Sequence, residues 1–276
     1  MGVALVTGAS SGIGAATAIA FADAGWEVMA AGRDEGRLAE VADVSDAIAT
    51  WTGELLESED CDELIADTID EYDAIDCLVN SAGILVRADT AETSDDEWRD
   101  TMTINLDVPL YLSRAALPHL ISSGGSIVNI SSYWGVQAGE LTAAYSVSKA
   151  GLIMLSKSMA KDYGREGVRV NAVCPGGVDT PMLAQGAEDN DVDEFLEKVA
   201  SFSPNGRIAT PEDVANLVLF LAGDSAQQIN GAALSIDGGL SACMHQAGRR
   251  VAARPIAATS GSRKSRLTGA AASPKT

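Results

Sequence analysis

Gly2-Val3-Ala4-Leu5-Val6-Thr7-Gly8-Ala9-Ser10-Ser11-Gly12-Ile13-Gly14 opens the chain with an apolar run that breaks into a glycine-rich turn. The run Gly2–Thr7 has the composition of a strand buried on both faces. Ile13–Ala24 then repeats apolar residues at helical spacing, and Gly25 suits the position just past a helix end. Glycines between such a strand and helix let the backbone approach a phosphate. The helix start adds free N–H groups and the positive end of the helix dipole. The spacing is G-x-x-x-G-x-G rather than the commoner G-x-G-x-x-G.

Outward from this loop the same alternation continues. Trp26–Ala31 reads as a second strand, Asp34–Val44 as a short charged helix, and Ala47–Gly53 as a weak third strand. An acidic helix around Asp60–Tyr72 and a strand Ile75–Val79 follow. Ser94 begins a long helix, its Ser-Asp-Asp-Glu matching a capping box. Ser126–Ile130 is a strand, Thr142–Tyr163 a helix and Val168–Val173 a strand. Pro211–Leu221 is a helix with Thr210 as N-cap and Pro211 at its first position, and Ala232–Ile236 is the last strand. Seven nearly all-apolar strands alternating with helices imply an α/β, doubly wound (Rossmann) parallel sheet with helices on both faces. A single domain over residues 1–240 is expected, with its ligand crevice beyond the carboxyl ends of the strands. Residues 241–276 are rich in Ala, Ser, Gly and Arg and lack periodicity, and are expected to be a basic, disordered tail.

Charge narrows the function classes. Of 276 residues, 19 are Lys or Arg and 39 are Asp or Glu, for a net charge of -20. Every acid precedes Leu240 and seven of the bases follow it, so residues 1–239 carry 12 bases against 39 acids, or -27. Like charge raises the cost of approaching nucleic acid or an anionic membrane, and neither partner is expected. Together with only six lysines, this suggests a surface adapted to high salt, where screening removes self-repulsion. An ordinary acidic cytosolic protein is the alternative. No apolar run approaches the roughly 18 residues of a membrane span, and the amino end shows no signal peptide. Cys61, Cys77, Cys174 and Cys243 are too scattered for a disulfide framework or a zinc site, so a cytoplasmic chain without metal is expected.

Several motifs stand in a fixed order along this frame: Thr7-Gly8-x-x-x-Gly12-Ile13-Gly14, Asn80-Ser81-Ala82-Gly83, Asn105, Ser131-Ser132, Tyr145-Ser146-Val147-Ser148-Lys149 and Pro175-Gly176. Arg207-Ile208-Ala209-Thr210-Pro211-Glu212-Asp213-Val214 and Asp237-Gly238-Gly239 close the series. In that order and spacing the chain resembles the short-chain dehydrogenases/reductases over about residues 2–240. Within that family the nearest likeness is to the 3-oxoacyl-thioester reductase and sugar or polyol dehydrogenase branches. Ser81, where the family motif is N-N-A-G, is a mild departure.

The resemblance implies an NAD(P)-dependent oxidoreductase that transfers a hydride between a nicotinamide cofactor and a carbonyl or secondary alcohol. It assigns Ser132, thirteen residues before Tyr145, to holding the substrate oxygen against the tyrosine hydroxyl, with Ser131 as the neighbouring alternative. It assigns Asn105 to holding a water against Lys149, and Lys149 also to the nicotinamide ribose. Cofactor contacts follow at Gly8, Ser10, Ser11, Gly12, Ile13 and Gly14 in the loop, at Asn80, Ala82 and Gly83, at Tyr145 and Lys149, and at Pro175, Gly176, Val178 and Thr180. Glu54 and Leu55 fall where relatives hold the adenine. The family commonly assembles as tetramers or dimers, so a homo-oligomer is expected. A binding protein without turnover is the minor alternative, and retention of both Tyr145 and Lys149 speaks against it.

The choice of cofactor turns on the end of the second strand, Ala30-Ala31-Gly32-Arg33-Asp34. A carboxylate there accepts from the ribose hydroxyls of NAD and repels a 2′-phosphate. In family register that carboxylate would stand at Gly32. Arg33 offers a phosphate a planar fork, so NADP(H) is expected over NAD(H). Asp34 is the carboxylate nearest the ribose, and Ser11 stands where many NADP-linked relatives carry a base. An NAD-linked alcohol or sugar dehydrogenase is the alternative.

Tyr145 and Lys149, four apart on a helix, share a face with Cβ atoms about 5–6 Å apart. An ammonium about 5 Å away, at an effective dielectric of about 20, favours a phenolate by about 3 kcal/mol. That charge is expected to bring the tyrosine pKa down by about 2 from its ordinary value of roughly 10. Substrate is expected to contact Gly83–Arg87, Tyr133–Leu141 and Met182–Phe202. Trp134 and Tyr133 are either core or substrate contacts. The acids of the last stretch (Glu188, Asp189, Asp191, Asp193, Glu194, Glu197) weigh against a highly anionic substrate.

Overall fold

A computed structural model describes residues 2–187 and 191–242. The expected tail from Cys243 onward and the acids Glu188 and Asp189 lie outside these described residues, whereas Ser241 and Ala242, expected to be disordered, complete a short helical turn, Leu240–Ala242, tied to Asp237. Seven strands form one parallel sheet: β1 (Val3–Thr7), β2 (Glu27–Gly32), β3 (Ile48–Thr52), β4 (Cys77–Asn80), β5 (Ser126–Ile130), β6 (Arg169–Pro175) and β7 (Ala233–Ile236). Their spatial order is β3-β2-β1-β4-β5-β6-β7, every pairing parallel. The winding reverses between β1 and β4, so the crevice of such a sheet opens at their carboxyl ends.

The inner strands are mostly apolar because both faces are covered, whereas the edge strands β3 and β7 alternate covered with exposed residues. Along β1, Ala4 and Val6 enter one core layer and Leu5 the other; along β2, Val28 and Ala30 alternate in the same way with Met29 and Ala31. The first layer is closed by α1 (Gly12–Asp23), α2 (Glu35–Ala42) and α10 (Pro211–Ala222), through Phe21, Leu38 and Val218 among others. The second is closed by α3 (Ser58–Tyr72), α5 (Val108–Ser123) and α7 (Ala143–Tyr163), through Leu64, Leu112 and Met159. Full burial of such side chains contributes about 1.5–3 kcal/mol each. Arg169, at the start of β6, is buried and donates to the Leu221 and Ala222 carbonyls, satisfying the C-terminal end of α10.

The long helix expected from Ser94 is not continuous. Ser94 does form its capping box with Glu97, opening α4 (Asp95–Met102), but a π-helical turn, Thr103–Asp107, separates α4 from α5. Pro109 supplies a reason: it has no N–H to close the helical bond on the Asn105 carbonyl four residues earlier, and its ring crowds that carbonyl. Three helices were not legible from periodicity: α6 (Tyr133–Val136), α8 (Pro181–Ala184) and α9 (Val192–Phe202). The first two are single turns, too short to show a repeat.

Candidate active site

At the carboxyl end of β1 the backbone forms a cradle. Gly8 adopts φ +66°, and a Cβ there would lie 2.8 Å from the backbone of Ala82. On Gly14, in the first turn of α1, a Cβ would stand 2.2 Å from the Gly8 carbonyl oxygen. Only bare backbone lets the loop fold this tightly against the residues after β4. The Thr7 hydroxyl fastens the two segments, accepting from the N–H groups of Ser81 (3.1 Å) and Ala82 (3.2 Å). Ser11 is the N-cap of α1 but makes no side-chain cap bond, and the first turn holds no acid. That helix start is therefore electrostatically open to an anion.

The other expected cofactor residues gather around the cradle. Thr180 caps α8 with its hydroxyl, and a Cβ on Gly12 would meet its Cγ2 at 3.0 Å. Ser10 packs as closely on Gly32 at the end of β2. Next to it, Arg33 is exposed, while Asp34 caps α2, accepting from Arg37 N–H and pairing with the Arg37 guanidinium at 3.3 Å. Glu54 is exposed and Leu55 half-buried just beyond β3. Pro175 ends β6 with Gly176 beside it, and Val178 bridges to Ala209. Ile13 packs from α1 against the first core layer. Asn80 is buried, donating to Asn129 Oδ1 at 2.7 Å, and its own Oδ1 has no partner among the described residues. Backbone cradle, open helix start, unpartnered amide oxygen and exposed arginine fit a dinucleotide.

Above β4 and β5 stand the residues expected to transfer the proton. Tyr145 and Lys149 are on α7, both buried, with Lys149 Nζ 5.7 Å from the centre of the tyrosine ring. The ammonium donates to the Ile130 carbonyl at 2.9 Å. Ser132 follows β5, caps α6 by accepting from Trp134 N–H at 3.1 Å, and sits beside the tyrosine hydroxyl. Ser131, by contrast, donates to the Lys149 carbonyl and so holds α7 on β5. Asn105 lies buried in the π-helical turn. Its carboxamide clamps Ile84, accepting from the N–H and donating to the carbonyl at 2.9 Å each, and donates to Ser148 Oγ at 3.1 Å. A Cβ on Gly83 would fall 3.1 Å from Asn105 Oδ1 and 3.3 Å from Lys149 Nζ, so the three positions adjoin.

The expected charge effect on Tyr145 is corrected by this burial. Desolvation pushes the hydroxyl above the usual tyrosine value, opposed by the Ser132 hydrogen bond and by the positive charge of Arg87. Desolvation likewise pulls Lys149 down to about 8. A half-solvated pair would lower the phenol, but removing water from both groups costs more than the pair regains. Cys174, buried beside Ser131, is pushed up to about 11 by burial and remains a thiol.

The third wall carries no sequence motif. Arg87, in the loop after β4, lies over the ring of Trp134 at 5.5 Å. Trp134 in turn meets the Tyr145 ring edge-on, centroids 6.1 Å apart. Gly186, beyond α8, approaches so closely that a Cβ would sit 2.8 Å from Arg87 Nη2 and 2.8 Å from Phe195 on α9. Sequence reasoning marked all three stretches for substrate but singled out neither this arginine nor Thr7, Ser148 or Ile130 as organisers of the site. For Arg87 no local pattern could have done so, because its neighbours come from distant segments, Trp134 on α6 and Gly186 beyond α8. Among the described residues no group of His, Cys, Asp and Glu is arranged to hold a metal, and no helix is long and apolar enough to cross a membrane.

Comparison with known proteins extends the likeness to most of the chain. A family model described as "Enoyl-(Acyl carrier protein) reductase" matches residues 8–241. The 3-oxoacyl-[acyl-carrier-protein] reductase of Thermotoga maritima is 34% identical over 243 residues, covering 86% of this chain and 97% of the relative. Meso-2,3-butanediol dehydrogenase of Serratia marcescens is 36% identical over 253 residues, covering 87% and 94%. Among solved structures, an actinorhodin polyketide ketoreductase variant with NADPH superposes with a TM-score of 0.82 at 33% identity, covering 87% of this chain and 97% of that one. With the seven-stranded parallel sheet and its crevice, these matches establish that the chain belongs to the short-chain dehydrogenase/reductase family, whose members are oxidoreductases acting on CH–OH and C=O groups.

Proposed function

We propose that the protein is an NADP(H)-linked carbonyl reductase and alcohol dehydrogenase in which Tyr145 moves the proton. The observation that carries this reading is the buried Tyr145 hydroxyl beside Ser132, on the helix that also presents Lys149. Bound nicotinamide supplies the hydride. Ser132 holds the substrate oxygen, and Tyr145 gives that oxygen its proton in reduction or withdraws it in oxidation. Because burial keeps Tyr145 protonated at neutral pH, the resting site is set for reduction. Lys149, charged below about 8, binds the nicotinamide ribose and stabilises negative charge on the phenol oxygen as the proton leaves. Asn105 positions Ile84 and, with it, the floor beside Gly83.

The preference for NADP(H) rests on Arg33. It is exposed at the end of β2, where Gly32 supplies no carboxylate and Asp34 is engaged as the cap of α2. Gly8, Ser10, Ser11, Gly12, Ile13 and Gly14 bind the pyrophosphate in this reading. Glu54 and Leu55 face the adenine, Asn80, Ala82 and Gly83 the ribose side, and Pro175, Gly176, Val178 and Thr180 the nicotinamide. The catalytic domain is assigned to residues 1–240 and the location to the cytoplasm. Exposed Leu110, Val147 and Met154 on α5 and α7 (40%, 47% and 59%) support a homo-oligomer built on those helices. Salt adaptation is supported by the pairing census: the described residues make only four ion pairs, each with an exposed side chain.

The test is a carbonyl and alcohol panel with both cofactors. Wild type turns over with NADPH, whereas Tyr145→Phe folds, binds NADPH and loses about 10²–10⁴-fold in rate. Arg33→Ala weakens NADPH binding by about tenfold to a hundredfold and leaves NADH unchanged. Near-wild-type turnover by Tyr145→Phe overturns the mechanism, and tighter binding of NADH by wild type overturns the cofactor assignment.

A further inference from the structure

We infer that Arg87 receives a carboxylate of the substrate, so that the compounds turned over are oxo acids and the corresponding hydroxy acids. This rests on the oxidoreductase reading above and names its substrate class. The guanidinium is held from two sides, over the Trp134 ring at 5.5 Å and against the close approach of Gly186. An arginine held over an aromatic ring keeps N–H donors for a planar, bidentate acceptor, which a carboxylate matches. Among the described residues no hydrogen bond or ion pair engages those donors. Arg37, Arg99 and Arg207 each pair with an aspartate instead. Arg87 is exposed beside Trp134, and no carboxylate among the described residues pairs with it, so its guanidinium is open to a carboxylate of the ligand.

Position decides that the partner belongs to the substrate. Trp134 connects Arg87 to the reacting group, because the same ring meets Tyr145 edge-on at 6.1 Å. The two contacts laid end to end set an upper bound on the separation of guanidinium and tyrosine ring, within the reach of a small molecule. Arg87 is also close enough for its charge to act on the Tyr145 hydroxyl. The acids of α9 do not exclude an anion. Exposed charges are largely screened beyond about 8 Å at physiological salt, whereas a bidentate contact acts at hydrogen-bond distance. The acidic stretch therefore sets the approach, and Arg87 the bound state.

The test uses the full chain with NADPH and a series of oxo acids with two to five carbons between carbonyl and carboxylate, each compared with its primary amide. Wild type is expected to favour at least one acid over its amide by about tenfold or more in kcat/KM. Arg87→Met lowers kcat/KM for that acid by about tenfold to a hundredfold, chiefly through KM, so that the acid-to-amide ratio collapses towards one. Arg87→Lys, a point charge without the fork, restores part of the ratio. No acid preference in wild type, or equal losses on acid and amide in Arg87→Met, overturns the inference. A loss of NADPH affinity as large as the loss on the acid would assign Arg87 to the cofactor and also overturn it. Turnover confined to neutral carbonyls sinks the carboxylate but leaves the oxidoreductase reading standing. Failure to bind NADPH or to turn over any carbonyl compound removes that reading, and the inference with it.

Discussion

The glycine loop after β1 and the Arg87 loop after β4 flank one crevice, but they are held by different parts of the chain. Around the first, backbone meets backbone: Gly14 on the Gly8 carbonyl, Gly8 on Ala82. Around the second, side chains from distant segments meet, with Arg87 on Trp134, Trp134 on Tyr145, and the bare backbone of Gly186 against Arg87 and Phe195. A wall made of backbone accepts one ligand shape and tolerates no added atom. One made of side-chain tips can be re-cut by substitution without disturbing the sheet. The contrast accounts for one scaffold serving relatives named for a protein-bound thioester and for butanediol.

The largest effect that would sharpen this contrast lies where the walls meet. On the proposed mechanism Ser132→Ala should cost about 10²–10³-fold in kcat, because it removes the donor assigned to the reacting oxygen. It also removes the α6 cap, so its melting temperature must be read alongside; a cap is worth about 1 kcal/mol. Unchanged kcat would remove Ser132 from the site. Next comes Gly14→Ala, whose Cβ would strike the Gly8 carbonyl at 2.2 Å. It should destabilise the fold by about 1–3 kcal/mol and weaken NADPH binding, as thermal melts with and without cofactor will tell. A neutral result would mean that the cradle is less rigid than the geometry implies.

A pH profile probes the group between the walls. Burial lowers Lys149 to about 8, so its folded value lies below its unfolded one. Below about 8 it is charged and useful, at a cost to stability; as pH rises through the interval up to the ordinary lysine value, that cost is relieved. The reduction rate should therefore be level below pH 8 and fall up to tenfold per pH unit above it. Lys149→Arg should carry the alkaline limb to higher pH, and an unmoved limb would assign it to another group. The smallest effect belongs to Gly186→Ala. Its Cβ meets only the ends of Arg87 and Phe195, so stability should change by less than about 1 kcal/mol while KM shifts. A loss as large as that of Gly14→Ala would erase the distinction between the walls.

Legibility followed the same division. The inner strands were readable because burial on both faces leaves a mostly apolar run, as in Ser126–Ile130, which matches β5 end to end, whereas the edge strands β3 and β7 are only half covered. The loop at Gly8–Gly14 and the Tyr145–Lys149 pair were readable because they are local in sequence. Asn105 was readable as a position but not as a π-helical turn, whose cause sits at Pro109. Helix α9 was obscured by its acids, although Val192, Phe195, Leu196 and Val199 keep helical spacing. What no local pattern could reveal was burial. The tyrosine and lysine looked like a mutually tuned pair, whereas water removed by the surrounding fold pushes both the other way.

Thr7 has a consequence in time. Its hydroxyl is the acceptor for the N–H groups of Ser81 and Ala82, 74 and 75 residues further on. During synthesis at about 5–20 residues per second, the glycine loop waits several seconds for the strand that completes it. Central β1 cannot be enclosed until β4 arrives, and every parallel pairing in the sheet spans a crossover. Folding dominated by such distant pairings is slow, and the apolar opening strand stays exposed throughout that wait.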